Sequence, residues 1–345
     1  MKNQYLKFFY KVTLIALPFI FLFLLYIFLD PFKVIKKYET YYQSGYPSYV
    51  TLDVDYVNTQ TFIINNPKYN YNAFIFGNSR SRFFEINTWK KYISTDNCFH
   101  FDASDETILG ITRKLKFLND NNVPIVHALI ILDYSTLAQI EEKKGHLFLN
   151  HPALSNQNWF LFQLEFFKSF LSPDFLRAYL DFKINNKVKD YMKNDFLLND
   201  APIDYNNKYN ELRFSNFEEI INRNPSEFYN KNKMNVFYIR DSIQKYSPEV
   251  IKNSQLLMLN EMSNILKNNK TNFKIVINPL YDQLKINQKD IETLNNVFGK
   301  ENVFDFSGIN IITNDFHNYY ENSHYRPHVA DSIMKNIYQQ KIINN

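Results

Sequence analysis

The stretch that decides the fold is AFIFGNSRSRFFE, Ala73–Glu85. An apolar run of four residues is followed by a glycine and then by Asn78–Ser81, in a chain of 345 residues that has 6 glycines. Such a run before a glycine and polar residues is typical of a buried strand that turns tightly into a helix, and Gly77 supplies the backbone freedom for the turn. Because ligands bind at the carboxyl ends of parallel strands, we expect the Ser79 hydroxyl to face a crevice there.

Short apolar runs alternate with segments of helical period on either side of this stretch. The runs predict strands at Ala73–Phe76, Cys98–Phe101, His127–Asp133, Phe273–Pro279 and Val303–Phe306. The helices are predicted around Ser81–Tyr92, Thr107–Asn119, Pro248–Lys267, Gln288–Val297 and Val329–Tyr338. The alternation predicts an α/β fold with a parallel sheet between helices, as three α/β/α layers. Between about 140 and 240 it stops, and helix-spaced aromatic residues predict a mainly helical insertion.

The N-terminal region predicts a membrane anchor. Val12–Leu29 is an 18-residue run without a charge, close to the roughly 20 residues that cross a ~30 Å hydrocarbon core. A cleavable signal peptide is disfavoured because the run is too long and no small-residue cleavage site follows. Lysines flank the run on both sides, so the short tail decides the expected orientation: tail in the cytoplasm, folded domain outside. We therefore expect a tail and anchor over 1–30, a juxtamembrane linker over 31–50 and the α/β domain over 51–345.

Composition narrows the classes of function. Hydrophobic residues make up 45% of the chain, enough for a full core. The net charge of +4 is spread out with no basic arm, which excludes nucleic acid as the expected partner. Cys98 is the single cysteine, so no intramolecular disulfide forms and no lipoprotein anchor follows the apolar run. No cofactor is expected.

A partner for Ser79 is found near the other end of the chain. The segment NYYENSHYRPHVADSIM, Asn318–Met334, places Glu321 three residues before His324 and ahead of the predicted last helix. A carboxylate can orient an imidazole, and the imidazole can take the proton of a serine hydroxyl. The pattern therefore predicts Ser79 as nucleophile, His324 as general base and Glu321 as orienting acid.

These blocks resemble the SGNH/GDSL hydrolase superfamily through Gly77-Asn78-Ser79 and through Glu321-x-x-His324. The anchor, GNSRS and YYENSHYRP are more closely similar to membrane-anchored extracytoplasmic SGNH-like proteins that accompany polysaccharide or teichoic-acid acylation. The resemblance covers roughly Ala73–Asp133 and Phe273–Tyr338. It implies an acyl-enzyme mechanism on O-acyl groups of a cell-envelope polysaccharide, with a membrane-bound O-acyltransferase as partner.

The oxyanion-binding groups depart from the family pattern. The second block, HFDASDETILG, has Ser104 or Asp105 where the family has a glycine, and its own glycine comes at Gly110. Asp133 stands where the third block has an asparagine, and an ionised carboxylate only accepts hydrogen bonds. Ser79, Asn78 and Arg80 are the other oxyanion candidates.

Plainer interpretations stay open at this point. Ser79–Ser81 could be a helix cap with solvent-facing arginines, and His324 an ordinary surface or core histidine. Asp315 could orient His324 in place of Glu321. A zinc site is conceivable among four residues, which are Asp315, His317, His324 and His328. An inactive SGNH-like glycan-binding or scaffold protein is the alternative function, and Trp89 and Trp159 are expected in the core rather than as sugar platforms.

Overall fold

A five-stranded parallel sheet forms the centre of the protein, whose computed structural model describes residues 2–230 and 234–339. In chain order, the strands of the described residues are β1 (Tyr49–Val50), β2 (Ala73–Phe76), β3 (Cys98–His100), β4 (His127–Leu132), β5 (Leu198–Asn199), β6 (Asp204–Asn206), β7 (Glu211–Arg213), β8 (Asn272–Ile277) and β9 (Val303–Asp305). The central sheet consists of β2, β3, β4, β8 and β9. The sheet order is β3-β2-β4-β8-β9, and every neighbouring pair is parallel. The predicted parallel sheet is therefore confirmed, with β2 next to its centre.

Helices precede and follow these strands. They are α1 (Lys2–Leu29), α2 (Val54–Tyr69), α3 (Ile86–Ile93), α4 (Ile108–Asp120), α5 (Tyr134–Ala138), α6 (Pro152–Ser155), α7 (Trp159–Phe170), α8 (Pro173–Asn185), α9 (Ser215–Arg223), α10 (Pro225–Phe228), α11 (Asn253–Asn268), α12 (Gln288–Phe298), α13 (Ile311–Asn314) and α14 (Pro327–Gln339). Short 3₁₀ helices span Ser79–Phe83, Asp190–Phe196, Lys300–Asn302 and Phe316–Asn318.

Each face of the sheet carries its own hydrophobic core, because successive strand side chains point to opposite sides. Phe74 and Phe76 pack in the core covered by α2, α4, α11 and α12. Ala73 and Ile75 pack in the core covered by α3 and α14. Both faces are thus buried, which explains why the strands read as continuous apolar runs.

The helix predicted over Ser81–Tyr92 is divided in two. The 3₁₀ turn over Ser79–Phe83 ends at Phe84, and α3 begins at Ile86. The Phe84 carbonyl accepts a hydrogen bond of 3.0 Å from His100 Nε2, which takes that carbonyl out of a helical ladder. A long-range contact therefore overrides the local helical pattern.

The insertion is less purely helical than predicted. It contains α6–α10, but also an antiparallel hairpin of β6 and β7 and the short strand β5. Strand β5 pairs antiparallel with β1, which lies before the sheet in sequence. The insertion is therefore built partly from the segment that follows α1.

That segment, residues 31–50, is not the open linker predicted. Phe32, Val34 and Tyr41 are each 1% exposed and pack in a third core with α7 and α8. Asp30 accepts hydrogen bonds from Val34 N at 2.9 Å and Lys36 N at 2.9 Å, which fold the chain back at the end of α1. The domain therefore begins at the end of α1 and not at residue 51.

Helix α1 contains the stretch Tyr10–Leu29, which is 20 residues long and apolar enough to cross a membrane. The predicted ranges 1–30, 140–240 and 51–345 also include Met1, residues 231–233 and residues 340–345, which lie outside the described part of the chain.

Candidate active site

Gly77 ends β2 in a conformation that favours glycine, with φ +147°. A Cβ atom at this position would lie 2.7 Å from the Ile131 carbonyl oxygen of the neighbouring strand. The chain then turns, and Asn78 Oδ1 accepts a hydrogen bond of 3.1 Å from Arg80 N. Ser79 is consequently the first residue of a capped 3₁₀ turn at the carboxyl edge of the sheet.

The structure brings Ser79, His324 and Glu321 together. Ser79 Oγ lies 2.8 Å from His324 Nε2, across 245 residues of sequence. His324 Nδ1 is hydrogen-bonded to Glu321 Oε1, and Glu321 Oε2 accepts from Ser323 N at 2.7 Å. Because a carboxylate only accepts, Nδ1 carries the proton and Nε2 is free to accept from the serine hydroxyl. This is the relation of nucleophile, base and orienting acid in a serine triad.

Asp133, the third-block residue, is buried at 1% exposure directly after β4. Its Oδ2 accepts from Asn78 Nδ2 and Arg80 Nη1, both at 2.8 Å. Its Oδ1 accepts from Thr136 N at 2.9 Å and Ser135 Oγ at 2.6 Å. The carboxylate therefore holds the serine turn from beneath.

The ionised form of Asp133 is favoured by these contacts. Burial alone would raise its pKa, but the Arg80 charge and hydrogen bonds from Ser135, Thr136 and Asn78 outweigh burial and hold the pKa below its usual range.

Arg80 joins this carboxylate to the histidine loop, which is the loop of residues 319–326 that carries His324 and leads into α14. Its Nε donates to the Ser323 carbonyl at 2.8 Å, and its Nη2 donates to Ser323 Oγ at 3.1 Å. The predicted oxyanion candidates Arg80 and Asn78 both donate to protein acceptors: the guanidinium bridges Asp133 and Ser323, and the Asn78 amide donates to Asp133 and Thr136. Both are positioning residues, because their donors are directed to protein acceptors.

The remaining oxyanion candidates are backbone and second-block groups. Within the described part of the chain, the Ser79 N–H has no hydrogen-bond acceptor. Ser104 and Asp105 follow β3, and Asp105 adopts a left-handed backbone conformation with φ +53°. Gly110 lies inside α4, where its N–H donates to Thr107 Oγ1 at 3.0 Å. Because its N–H is used inside the helix, Gly110 does not supply the oxyanion donor that the SGNH resemblance implies for a second-block glycine.

Ser104 and Asp105 line a cavity of about 560 Å³ beside the serine turn. The β6–β7 hairpin and the segment after α1 form much of its wall, and most lining residues are apolar, among them Tyr42, Leu52, Phe148, Leu212, Phe214 and Phe217. Charged lining residues of both signs are present, since Arg82 and Arg213 are ion-paired with Asp102 and Glu211 and are accompanied by Asp105 and Asp204. The Phe214 ring packs 5.2 Å from Phe83, whose ring lies 5.8 Å from that of His324. Two aromatic rings thus separate the cavity from the histidine.

The insertion also holds the histidine loop from the opposite side. Glu218 on α9 accepts from Arg326 Nε at 2.8 Å and Nη2 at 2.7 Å, and from Tyr320 OH at 2.7 Å. Sequence reasoning missed Glu218, Arg326 and Tyr320, because no spacing pattern links residues about 100 positions apart.

The residues of the alternative interpretations have hydrogen-bond partners other than His324 in the structure. Asp315 Oδ1 is bonded to His317 Nδ1 at 2.9 Å, and His328 Nε2 to Asn318 Oδ1 at 2.8 Å. Among the described residues, no group of three or more His, Cys, Asp or Glu side chains is arranged to hold a metal. Trp89 is fully buried as expected, whereas Trp159 is 46% exposed and does not belong to the core.

No protein-family model matches this chain, and no curated protein matches it either. The fold and site define a mixed α/β protein with a five-stranded parallel sheet, helices on both faces and one apolar N-terminal helix. At the carboxyl edge of that sheet a serine hydroxyl is hydrogen-bonded to a histidine that is oriented by a glutamate.

Proposed function

We propose that this protein is a membrane-anchored, extracytoplasmic SGNH-like serine esterase or O-acyltransferase that acts on acyl groups of a cell-envelope polysaccharide. The observation that carries the proposal is the 2.8 Å contact between Ser79 Oγ and His324 Nε2, with Glu321 on the far side of the imidazole. An accidental match of the two sequence blocks would leave the serine and histidine far apart.

The first half of the reaction transfers the acyl group to the enzyme. Ser79 Oγ attacks the ester carbonyl carbon while its proton passes to His324 Nε2, and Glu321 stabilises the imidazolium that results. The tetrahedral intermediate then breaks its bond to the alkoxide oxygen. His324 returns the proton to that oxygen, so a free hydroxyl leaves and an acyl-serine remains.

The second half repeats these steps with a new nucleophile. His324 removes a proton from water or from a sugar hydroxyl, whose oxygen attacks the acyl-serine carbonyl. Collapse releases a carboxylic acid or an acylated sugar and restores the Ser79 hydroxyl. The transfer version receives its acyl group from a donor, for which a membrane-bound O-acyltransferase is the partner that the resemblance implies.

Oxyanion stabilisation falls to the Ser79 N–H and to the Ser104–Asp105 turn in this proposal. Backbone N–H groups aimed at the developing charge are the usual donors in acyl transfer. Asp133 is excluded from this part because its oxygens accept hydrogen bonds and carry negative charge. Asp133 acts instead through the position of Asn78 and Arg80.

The adjoining cavity supports a substrate with both apolar and polar parts. Its aromatic walls suit an acyl chain or the apolar face of a sugar ring, and its polar side chains, among them Ser104, Asp105 and Asp204, suit the hydroxyl groups of a sugar. The cavity is lined by the second-block residues Ser104 and Asp105, so a substrate part bound there would lie beside the proposed oxyanion donors, with Phe83 and Phe214 between it and His324.

The test is a measurement of intact mass after exposure of the detergent-solubilised full chain to a serine-reactive phosphonate. We expect a single adduct, absent from Ser79→Ala and His324→Ala but retained by the control Ser332→Ala. Circular dichroism of each variant shows whether it is folded. A folded wild type that gains no adduct, or an adduct that survives Ser79→Ala, would contradict the proposal.

A second candidate function is an inactive SGNH-like fold that binds glycan or scaffolds envelope assembly. It is motivated by Asp133 at the asparagine position and by the missing second-block glycine. Absence of an adduct in a folded protein, together with glycan binding that Ser79→Ala leaves unchanged, would favour this function over acyl transfer.

A further inference from the structure

Helix α7, WFLFQLEFFKSF, has a second apolar surface in its first turn besides its buried face, whereas its later turns expose the ion pair of Glu165 and Lys168. Phe162, Phe166 and Phe170 are fully buried and form one face in the third core. A helix on the surface of a globular domain ordinarily presents polar residues on its other side. Here the start of the helix is exposed at Phe160 (73%) and Trp159 (46%). Burial in the core does not explain this second apolar face.

The exposed face continues into the contact with α1. The rings of Phe167 and Phe23 meet edge to face with centroids 5.3 Å apart. Tyr26 packs 5.3 Å from Phe167 and 5.4 Å from Phe170, and its hydroxyl is 3.3 Å from Gln163 Oε1. Helix α7 therefore lies directly against the last turns of the apolar helix.

The position of this contact along α1 sets its depth. Phe23 lies six residues before Leu29, the last residue of the apolar stretch, which corresponds to about 9 Å at 1.5 Å per residue. The stretch of 20 residues is about 30 Å long, so it is just sufficient to cross a hydrocarbon core. A membrane crossed by Tyr10–Leu29 therefore reaches the level of Phe167.

The connection is rigid, so α7 cannot drift away from that level. Phe32, directly after α1, is 1% exposed, and its ring packs 5.6 Å from Phe166 and 4.6 Å from Phe175. Asp30 closes the turn through Val34 N and Lys36 N. Thus the same segment that fixes α1 also fixes α7.

We propose that α7 is an interfacial helix, which lies in the outer boundary of the lipid bilayer and buries Trp159, Phe160 and Leu161 among headgroups and upper acyl chains. Tryptophan and phenylalanine are favoured at this boundary, and helices with a broad apolar face lie in its plane. The partner is the lipid bilayer. The proposal is independent of the chemistry of Ser79 and rests on α1 as the membrane-crossing helix.

The two tryptophans of the chain make a direct test possible. Trp159 is 46% exposed on α7, whereas Trp89 is fully buried and donates to Tyr338 OH at 2.8 Å. The full chain is placed in phosphatidylcholine nanodiscs with acyl chains brominated close to the glycerol, and in unbrominated discs. The emission of Trp159 is the difference between wild type and Trp159→Phe.

We expect brominated lipid to remove most of the Trp159 emission and to leave the Trp89 emission of Trp159→Phe unchanged. The variant Phe160→Glu places a charge in the boundary and should weaken the quenching, while the matched control Ile311→Glu should not. Ile311 is 89% exposed on α13, which belongs to the region between β9 and α14 and not to the insertion that contains α7.

Three outcomes overturn the proposal. One is Trp159 emission that aqueous iodide quenches and brominated lipid does not, which places α7 in water. Another is shielding from both quenchers in particles that contain two chains by mass photometry, which assigns the face to a second copy. The third is failure of the full chain to enter nanodiscs, which removes α1 as the anchor.

Discussion

Asp133→Asn tests the network beneath the serine turn with minimal change of shape. The substitution exchanges one acceptor oxygen for an amide that donates. Asp133 Oδ2 accepts hydrogen bonds from Asn78 Nδ2 and Arg80 Nη1, and Asp133 Oδ1 accepts one from Thr136 N. In one orientation the new amide N–H groups face Asn78 Nδ2 and Arg80 Nη1, and in the other they face Thr136 N. In either orientation these donors lose their acceptor.

The cost follows from the hydrogen bonds that are lost. A hydrogen bond to a charged group contributes about 1.5–3 kcal/mol, and a buried group left unpaired costs about 1–3 kcal/mol. The Arg80 side chain is 17% exposed, so water recovers part of its loss. We expect the free energy of unfolding to fall by about 3 kcal/mol, which lowers the melting temperature by about 4 °C in a chain of this size.

The same change should slow the reaction of Ser79. Arg80 is the link between Asp133 and the Ser323 carbonyl beside His324, so its release loosens the base. A loss of alignment of about 1.4 kcal/mol corresponds to about tenfold in rate. We therefore expect phosphonate labelling of Asp133→Asn to be about tenfold slower at a temperature where the variant is folded.

The assay combines thermal unfolding followed by circular dichroism with the labelling rate from intact mass. Asp120→Asn is the matched control, because it makes the same charge change on an exposed carboxylate at the end of α4. In the double variant with Arg80→Met the two losses should be less than additive, since both remove one interaction. A melting temperature and labelling rate equal to those of Asp120→Asn would refute the reasoning.

Three further predictions concern other contacts. Burial lowers the pKa of His151 from 6.5 to about 4, so the unfolded state binds the proton first as pH falls; this group should contribute a loss of about 2 kcal/mol in unfolding free energy from pH 7 to pH 5, and His151→Gln should remove that share in denaturant titrations while the share of His146, whose pKa burial also lowers to about 4, remains. Gly77→Ala brings a Cβ to 2.7 Å from the Ile131 carbonyl at a positive φ, and should cost about 3 kcal/mol in denaturant titrations; a loss below about 0.5 kcal/mol would contradict it. Glu218→Gln weakens the bidentate ion pair with Arg326, so it should lower the free energy of unfolding by about 1–2 kcal/mol and slow the phosphonate labelling of Ser79. A labelling rate of Glu218→Ala equal to that of wild type would show that the site does not need this ion pair.

The parallel sheet was predictable because its strands are buried on both faces. Runs such as His127–Asp133 then contain little besides apolar residues, and the structure has β4 over His127–Leu132. The proximity of Ser79 and His324 was predictable for a related reason: the carboxyl ends of parallel strands share one edge, and each residue follows a recognisable turn.

The supports of the site were not predictable. The sequence suggested Arg80 as an oxyanion donor or as a solvent-facing residue beside a cap, and Asp133 as a departure from the third block, whereas the fold places the two side chains 2.8 Å apart. The 31–50 segment was predicted to be a linker because its apolar residues follow no period. They pack instead as separate aromatic rings into α7 and α8, and packing of this kind leaves no repeating pattern.

Two sets of contacts fix the histidine loop, and they connect it to different parts of the fold. Arg80 fixes the loop to the sheet through Asp133, whereas Glu218 fixes it to the insertion through Arg326. The insertion in turn packs on the end of α1 through α7, α8 and the β6–β7 hairpin in a single core. Because β7 leads directly into α9, which carries Glu218, the packing of the insertion on α1 also contributes to the position of the histidine loop. Under the proposed function, a substrate at the membrane surface would meet His324 at a position that is determined by the same core that packs on the end of α1.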